Sequence, residues 1–130
     1  MFENVLITGA NGLLGRAVVK EMQGRARVTG FDLKAGDAPI SWETGNLTDA
    51  AAIARALKGK DAILQIAAIP NIWSGGGEKI MQVNVVGLYL LLEAAEAALQ
   101  PPHAPDPGAL LRPPPSSAPT TDTAESRAAG

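Results

Sequence analysis

Cysteine is absent from this 130-residue chain, which excludes disulfides, thiolate metal sites and a cysteine nucleophile. Histidine occurs once, as His103 within Pro-Pro-His-Ala-Pro, with no second ligand for a metal. A charge excess of one sign is also missing. Eleven basic residues face 13 acidic ones, for a net charge of −2, so there is no general attraction to nucleic acid or to anionic membranes. Long apolar runs are lacking. The longest, Val85 to Leu92, falls far short of the roughly 20 residues that a membrane span needs. The start, Met1-Phe2-Glu3-Asn4, has neither the basic residues nor the apolar stretch of a secretory signal, so a cytoplasmic location is expected. No Gly-Lys-Ser/Thr follows the glycines, and a P-loop NTPase is excluded.

Aromatic residues and prolines divide the chain near Gln100. Every Trp, Phe and Tyr lies before it, and eight of the ten prolines lie after it. Proline removes backbone donors and forbids helix interiors and central strands. The expected organisation is one folded domain over 1–100 and a disordered Pro/Ala/Ser-rich tail over 101–130, partly polyproline II.

Within the folded part, short apolar runs alternate with helical patterns. Strands are expected over 3–8, 27–31 and 62–67, with a weak one over 40–44. A helix follows the first strand, with Leu14, Ala17, Val18 and Met22 expected on its inner face and Gly24 as its stop. Thr48 and Asp49 are N-cap candidates for a helix through Lys58, ended by Gly59. The last helix is expected over 78–99. One stripe carries Ile80, Val83, Gly87, Leu91 and Ala94, and the opposite side carries Val85, Val86, Leu88, Tyr89 and Leu92. A helix apolar all round expects burial on both sides. The alternation predicts an α/β fold, a partial Rossmann-like doubly wound parallel sheet of about four strands. The fourth strand is expected beside the first.

The chemistry rests on Thr8-Gly9-Ala10-Asn11-Gly12-Leu13-Leu14-Gly15, between a strand and a helix. Gly9 permits a tight exit from the strand. Gly12 lets the backbone approach a pyrophosphate, and Gly15 lets the helix pack closely. The helix start supplies free N–H groups and a positive dipole end. Asp32 follows the second strand, where a carboxylate accepts from both hydroxyls of an adenosine ribose and repels a 2′-phosphate. That favours NAD over NADP, although Lys34 and Arg16 are near enough to blur the preference. The bland alternatives are a mere tight turn for the glycines and a turn residue for Asp32.

This pattern resembles the extended branch of the short-chain dehydrogenase/reductase superfamily, the NAD-dependent epimerase/dehydratase family. Gly45-Asn46-Leu47-Thr48-Asp49 looks like the family's Gly-Asp-Leu-Thr-Asp, whose first acid contacts adenine; here Asn46 can accept from the adenine amino group through its carbonyl oxygen. Ile66-Ala67-Ala68-Ile69-Pro70 resembles the family's segment beside the cofactor. Asn84-Val85-Val86-Gly87 with Leu92-Glu93-Ala94-Ala95 resembles the helix that carries an active-site asparagine. The resemblance covers 3 to about 98. It implies cofactor contacts from Gly9, Asn11, Gly12, Leu13, Leu14, Gly15, Asp32, Asn46, Leu47, Ala67 and Ala68, and it gives Asn84 as a remnant of the active site. The bland reading of Asn84 is a polar residue on the helix surface.

The family's hydride chemistry on sugar nucleotides, uronates or related alcohols needs Tyr-x-x-x-Lys. Here the sole tyrosine, Tyr89, is followed four residues later by Glu93, and it reads as a packing residue. Ser116 and Ser117 read as tail residues. The sequence therefore supports the NAD-binding portion of an epimerase/dehydratase- or sugar/uronate dehydrogenase-like oxidoreductase, cut before its catalytic pair, and leaves activity open. The alternatives are a non-catalytic dinucleotide-binding sensor or partner-binding module, and an inactive fragment. Self-association through the last helix is expected, with no nucleic acid, membrane or metal partner.

Overall fold

The computed structural model describes residues 2–71, 73 and 75–99. The tail 101–130, with His103, Ser116 and Ser117, lies outside the described residues. In chain order the elements are β1 (Asn4–Thr8), α1 (Leu13–Met22), β2 (Arg27–Asp32), β3 (Ser41–Thr44), α2 (Ala50–Leu57), β4 (Ala62–Gln65), α3 (Gly76–Met81), a π-helical segment (Gln82–Gly87) and α4 (Leu88–Ala98). The last three form one continuous helix.

The strands form a parallel sheet in the order β3-β2-β1-β4. Register aligns their carboxyl ends. Thr8 lies opposite Phe31 and Gln65, and Asp32 lies opposite Thr44. Strand order reverses at β1, so the crevice between the loops after β1 and β4 is the place where an open α/β sheet takes a ligand.

Side-chain alternation along β1 builds two cores. Leu6 joins Phe31, Leu47, Ile53, Leu57 and Leu91 on the face covered by α2 and α4. Val5 and Ile7 join Ala10, Val19 and Val28 on the face covered by α1. Asp49 caps α2, its carboxylate accepting from Ala51 N at 3.0 Å and Ala52 N at 3.3 Å. Gly24 and Gly59, both with positive φ, follow α1 and α2 as the sequence predicts.

Four expectations need correction. The inner face of α1 is Gly15 and Val19, flanked by Val18 and Met22, while Leu14 and Ala17 are exposed. Apolar spacing does not distinguish a core face from an exposed one. Strand β4 stops at Gln65 rather than Ala67, because the next two backbone donors, of Ile66 and Ala67, turn to the Thr8 hydroxyl at 3.1 and 3.2 Å. The same hydroxyl donates to Gln65 Oε1. The last helix starts at Gly76, not Glu78, after two glycines of positive φ. Tyr89 is 58% exposed and enters neither core.

The last helix spans 23 residues and contains an 18-residue window with a mean hydropathy of 1.3, so by length and composition alone it is long enough to cross a membrane. Its inner stripe docks on the sheet–helix layer through Gly87 and Leu91. A Cβ at Gly87 would sit 3.0 Å from Leu47 Cδ2, so glycine permits this approach to the chain ahead of α2. Val85, Val86, Tyr89 and Leu92 remain exposed on the other side, whereas Leu88 is half-buried. No strand covers the outer edge of β4 among the described residues.

Candidate functional site

The loop between β1 and α1 is shaped by three glycines with different duties. Gly9 leaves β1 at φ +66, and a Cβ there would lie 2.7 Å from the Ala67 backbone. Gly9 therefore lets the first and fourth βα loops meet. At Gly15 a Cβ would lie 1.9 Å from the Gly9 carbonyl oxygen, so that position sets how closely α1 sits on its own entry loop. Gly12 is different. Its φ of −75 suits any residue, and its Cβ would meet only the Gly9 oxygen, at 3.2 Å. That contact is tight but far milder than the one at Gly15, and the other side of the position is open.

Gly12 is the N-cap of α1, and no side chain caps that helix. Its first-turn N–H groups and dipole suit an anion. The loop is tied to the end of β2. Asn11 N donates to Asp32 Oδ2 at 2.9 Å, and Leu33 N donates to Asp32 Oδ1 at 2.8 Å. Each carboxylate oxygen keeps a lone pair for a further donor such as a ribose hydroxyl.

The opposite wall comes from the chain after β4. Asn84, in the π-helical segment, accepts from Ile69 N at 2.7 Å and donates to Ile69 O at 2.9 Å. That reciprocal pair fastens the helix to the 66–70 segment. It satisfies both ends of a part-buried amide, and so replaces the bland reading of a surface polar residue. π-helical turns inside α-helices often mark functional sites, which makes the neighbourhood of Asn84 a candidate.

Between these walls lies a cleft of about 650 Å³, within the range of small-molecule sites. Of the residues predicted to contact a cofactor, Gly9, Gly12, Leu13, Leu14, Gly15, Asp32, Asn46, Leu47, Ala67 and Ala68 line it. Asn11 does not. Its backbone supports Asp32, and its side chain turns to the Lys34 carbonyl at 3.4 Å. Leu13 and Leu14, 88% and 63% exposed, present apolar surface to the cleft rather than to the core. Asn46 lies on the lining, but its carbonyl oxygen already accepts from Thr48 N at 3.0 Å and Thr48 Oγ1 at 2.9 Å. That leaves the amide NH₂, a donor, in place of the carbonyl oxygen that the sequence reading offers to an adenine amino group.

Sequence reasoning missed Phe31, Leu33, Gly45, Lys79 and Val83 as lining residues. Lys79 and Val83 stand four apart and so share a helix face, but only the fold brings that face to the cleft. A second concavity, of about 590 Å³, lies at the opposite ends of β2 and β3. Its one charged side chain, Arg27, is already paired with Glu3 at 3.3 Å. The described residues contain no cluster of metal-binding side chains.

Comparison with known proteins agrees with this geometry. The model of the NAD dependent epimerase/dehydratase family matches residues 5–103. A curated protein, sterol demethylase protein B of Methylococcus capsulatus, is 31% identical over 100 residues, covering 72% of this chain and 30% of its own. A short-chain dehydrogenase/reductase superfamily protein of Agrobacterium tumefaciens, solved with bound NAD, is 34% identical with a TM-score of 0.69, over 75% of this chain and 30% of that one. Uronate dehydrogenase of Agrobacterium tumefaciens is 32% identical with a TM-score of 0.66, over 73% of this chain and 36% of that one. The chain thus spans about a third of the length of the relatives it matches.

Proposed function

Because the chain belongs to the NAD dependent epimerase/dehydratase family, we propose that it is the NAD-binding portion of an epimerase/dehydratase- or sugar/uronate dehydrogenase-like oxidoreductase. The observation that carries this reading is the convergence of the glycine loop, Asp32 and the 66–70 segment on one cleft. The cleft fits a dinucleotide. Gly12 leaves a Cβ-sized space at an uncapped helix start for the diphosphate, and Asp32 keeps acceptors for the adenosine ribose. Leu13, Leu14, Leu33 and Leu47 offer apolar wall, and Ala67 and Ala68 line the cleft on the side of the segment after β4. When bound, the nicotinamide ring supplies hydride acceptance or donation. Asp32 disfavours a 2′-phosphate by like-charge repulsion, which makes NAD the preferred form.

Substrate chemistry follows the similar uronate dehydrogenase, so sugar-derived alcohols are the proposed class. This chain alone is proposed to bind without turnover. Its sequence holds no Tyr-x-x-x-Lys, and Tyr89 is not among the residues that line the cleft. A positioned acid/base of that kind contributes about 10²–10⁴-fold. The absent pair against an intact cleft also favours a second reading, a non-catalytic dinucleotide-binding sensor or partner-binding module. We place the protein in the cytoplasm and assign self-association to the outer face of the last helix.

Calorimetric titration of the full chain with NAD and NADP tests the reading. Measurable NAD binding, tighter than NADP, is expected, together with a flat NADH absorbance trace across uronates, aldoses and nucleotide sugars. No binding of either dinucleotide overturns it. Turnover that disappears in Tyr89→Phe relocates the active site.

A further inference from the structure

The cleft has an uneven distribution of charge. Its described lining holds one acid, Asp32, and one base, Lys79. Asp32 stands on the β2 side, already held by two backbone N–H groups. Lys79 stands on the helix that forms the facing wall, four residues before Val83 and five before Asn84, whose amide fixes Ile69. Lys79 has no ion-pair partner among the described residues. Helical side chains lean toward the helix start. The Lys79 stem does so here, running back over Gly75, where a Cβ would lie 2.5 Å from Lys79 Cδ.

We propose that Lys79 is a phosphate-contacting residue that supplies the countercharge to the dinucleotide's diphosphate from the wall opposite the glycine loop. This rests on the reading of the cleft as a dinucleotide site. A diphosphate brings two negative charges. The uncapped start of α1 offers N–H groups and a partial charge of about half a unit, which leaves most of that charge unmatched. Asp32, at the ribose end, adds to the imbalance. An ammonium on the far wall completes a clamp, with backbone donors on one side and a mobile point charge on the other. Such a cation discriminates by phosphate content and not by base or sugar.

The test uses the full chain and three probes: NAD, ADP-ribose and adenosine. ADP-ribose keeps the diphosphate and lacks nicotinamide; adenosine lacks both. In Lys79→Met, which keeps an apolar stem, affinity for NAD and ADP-ribose should fall roughly three- to tenfold, with adenosine unchanged. The dependence of NAD affinity on salt should flatten, and Lys79→Arg should restore most of the affinity. Equal loss for adenosine would mean a structural role and would overturn the proposal. So would unchanged binding of NAD and ADP-ribose, which would leave Lys79 to an anionic substrate group. If the wild type binds none of the three, the dinucleotide reading itself fails and the proposal fails with it; wild-type binding that is insensitive to Lys79→Met removes the proposal alone.

Discussion

The backbone N–H of Asn11 and the carboxylate of Asp32 lie 2.9 Å apart, which joins the glycine loop to the end of β2. One acid therefore shapes the loop and also faces the cleft. Asp32→Ala should weaken NAD binding and narrow the advantage over NADP. It should also cost about 1–3 kcal/mol of stability, because Asn11 and Leu33 lose their acceptor. Parallel titrations with both dinucleotides, alongside a thermal melt, measure the two effects separately.

Gly12 and Gly15 should behave oppositely although they belong to one motif. Gly15→Ala drives a methyl into the Gly9 carbonyl, 1.9 Å away, and should cost about 3 kcal/mol by forcing α1 off its loop. Gly12→Val brings its Cβ to 3.2 Å from the same oxygen, a far milder contact at a φ of −75, and should cost about 1 kcal/mol, chiefly as the loss of a favourable N-cap. It should nonetheless abolish NAD binding. Melting curves with and without NAD for both variants check the contrast.

Asp61 ties the start of β1 to the turn before β4. Its carboxylate accepts from Glu3 N and Asn4 N, both at 3.0 Å. The Glu3 bond is the main cause that holds its pKa below 3.8, and desolvation opposes it. A depressed carboxylate adds stability above its unfolded value, and that stability is lost as pH falls through the folded value. Asp61→Ala should therefore melt earlier than wild type at neutral pH, and the gap should close in acid below about 3.8. A gap that is constant with pH would contradict the assignment.

The outer face of the last helix should drive association. Val85, Val86, Tyr89 and Leu92 are exposed together, and burying one such side chain contributes about 1.5–3 kcal/mol. Light scattering at tens of micromolar should find a dimer or larger species. Tyr89→Lys with Leu92→Lys should shift it toward monomer, whereas Leu88, half-buried, is a poorer site for the change.

Much of this was legible in the sequence for specific reasons. Val5-Leu6-Ile7 reads as a buried parallel strand, and both β1 cores depend on its alternation. The glycine loop was legible because its spacing sits between a strand and a helix, and the closest approach, Gly15 on the Gly9 carbonyl, is local. Long-range approaches were not, among them the room that Gly9 makes for Ala67. Leu14 looked like core because periodicity records apolarity and not what faces it. Lys79 gave no signal, since its place depends on how the last helix meets the 66–70 segment. The Asn84–Ile69 pair that fixes that meeting spans two elements, and the π-helical turn around Asn84 has no spacing signature.

The central claim is that a dinucleotide lies between the glycine loop and the 66–70 segment. Amide hydrogen exchange of the full chain, with and without saturating NAD, tests it most directly. Added protection is predicted at Gly12–Gly15, Leu33 and Ala67–Ile69, with little change at the far concavity around Arg27 and Ser41. Protection confined to that concavity, or none at the glycine loop, would contradict the account.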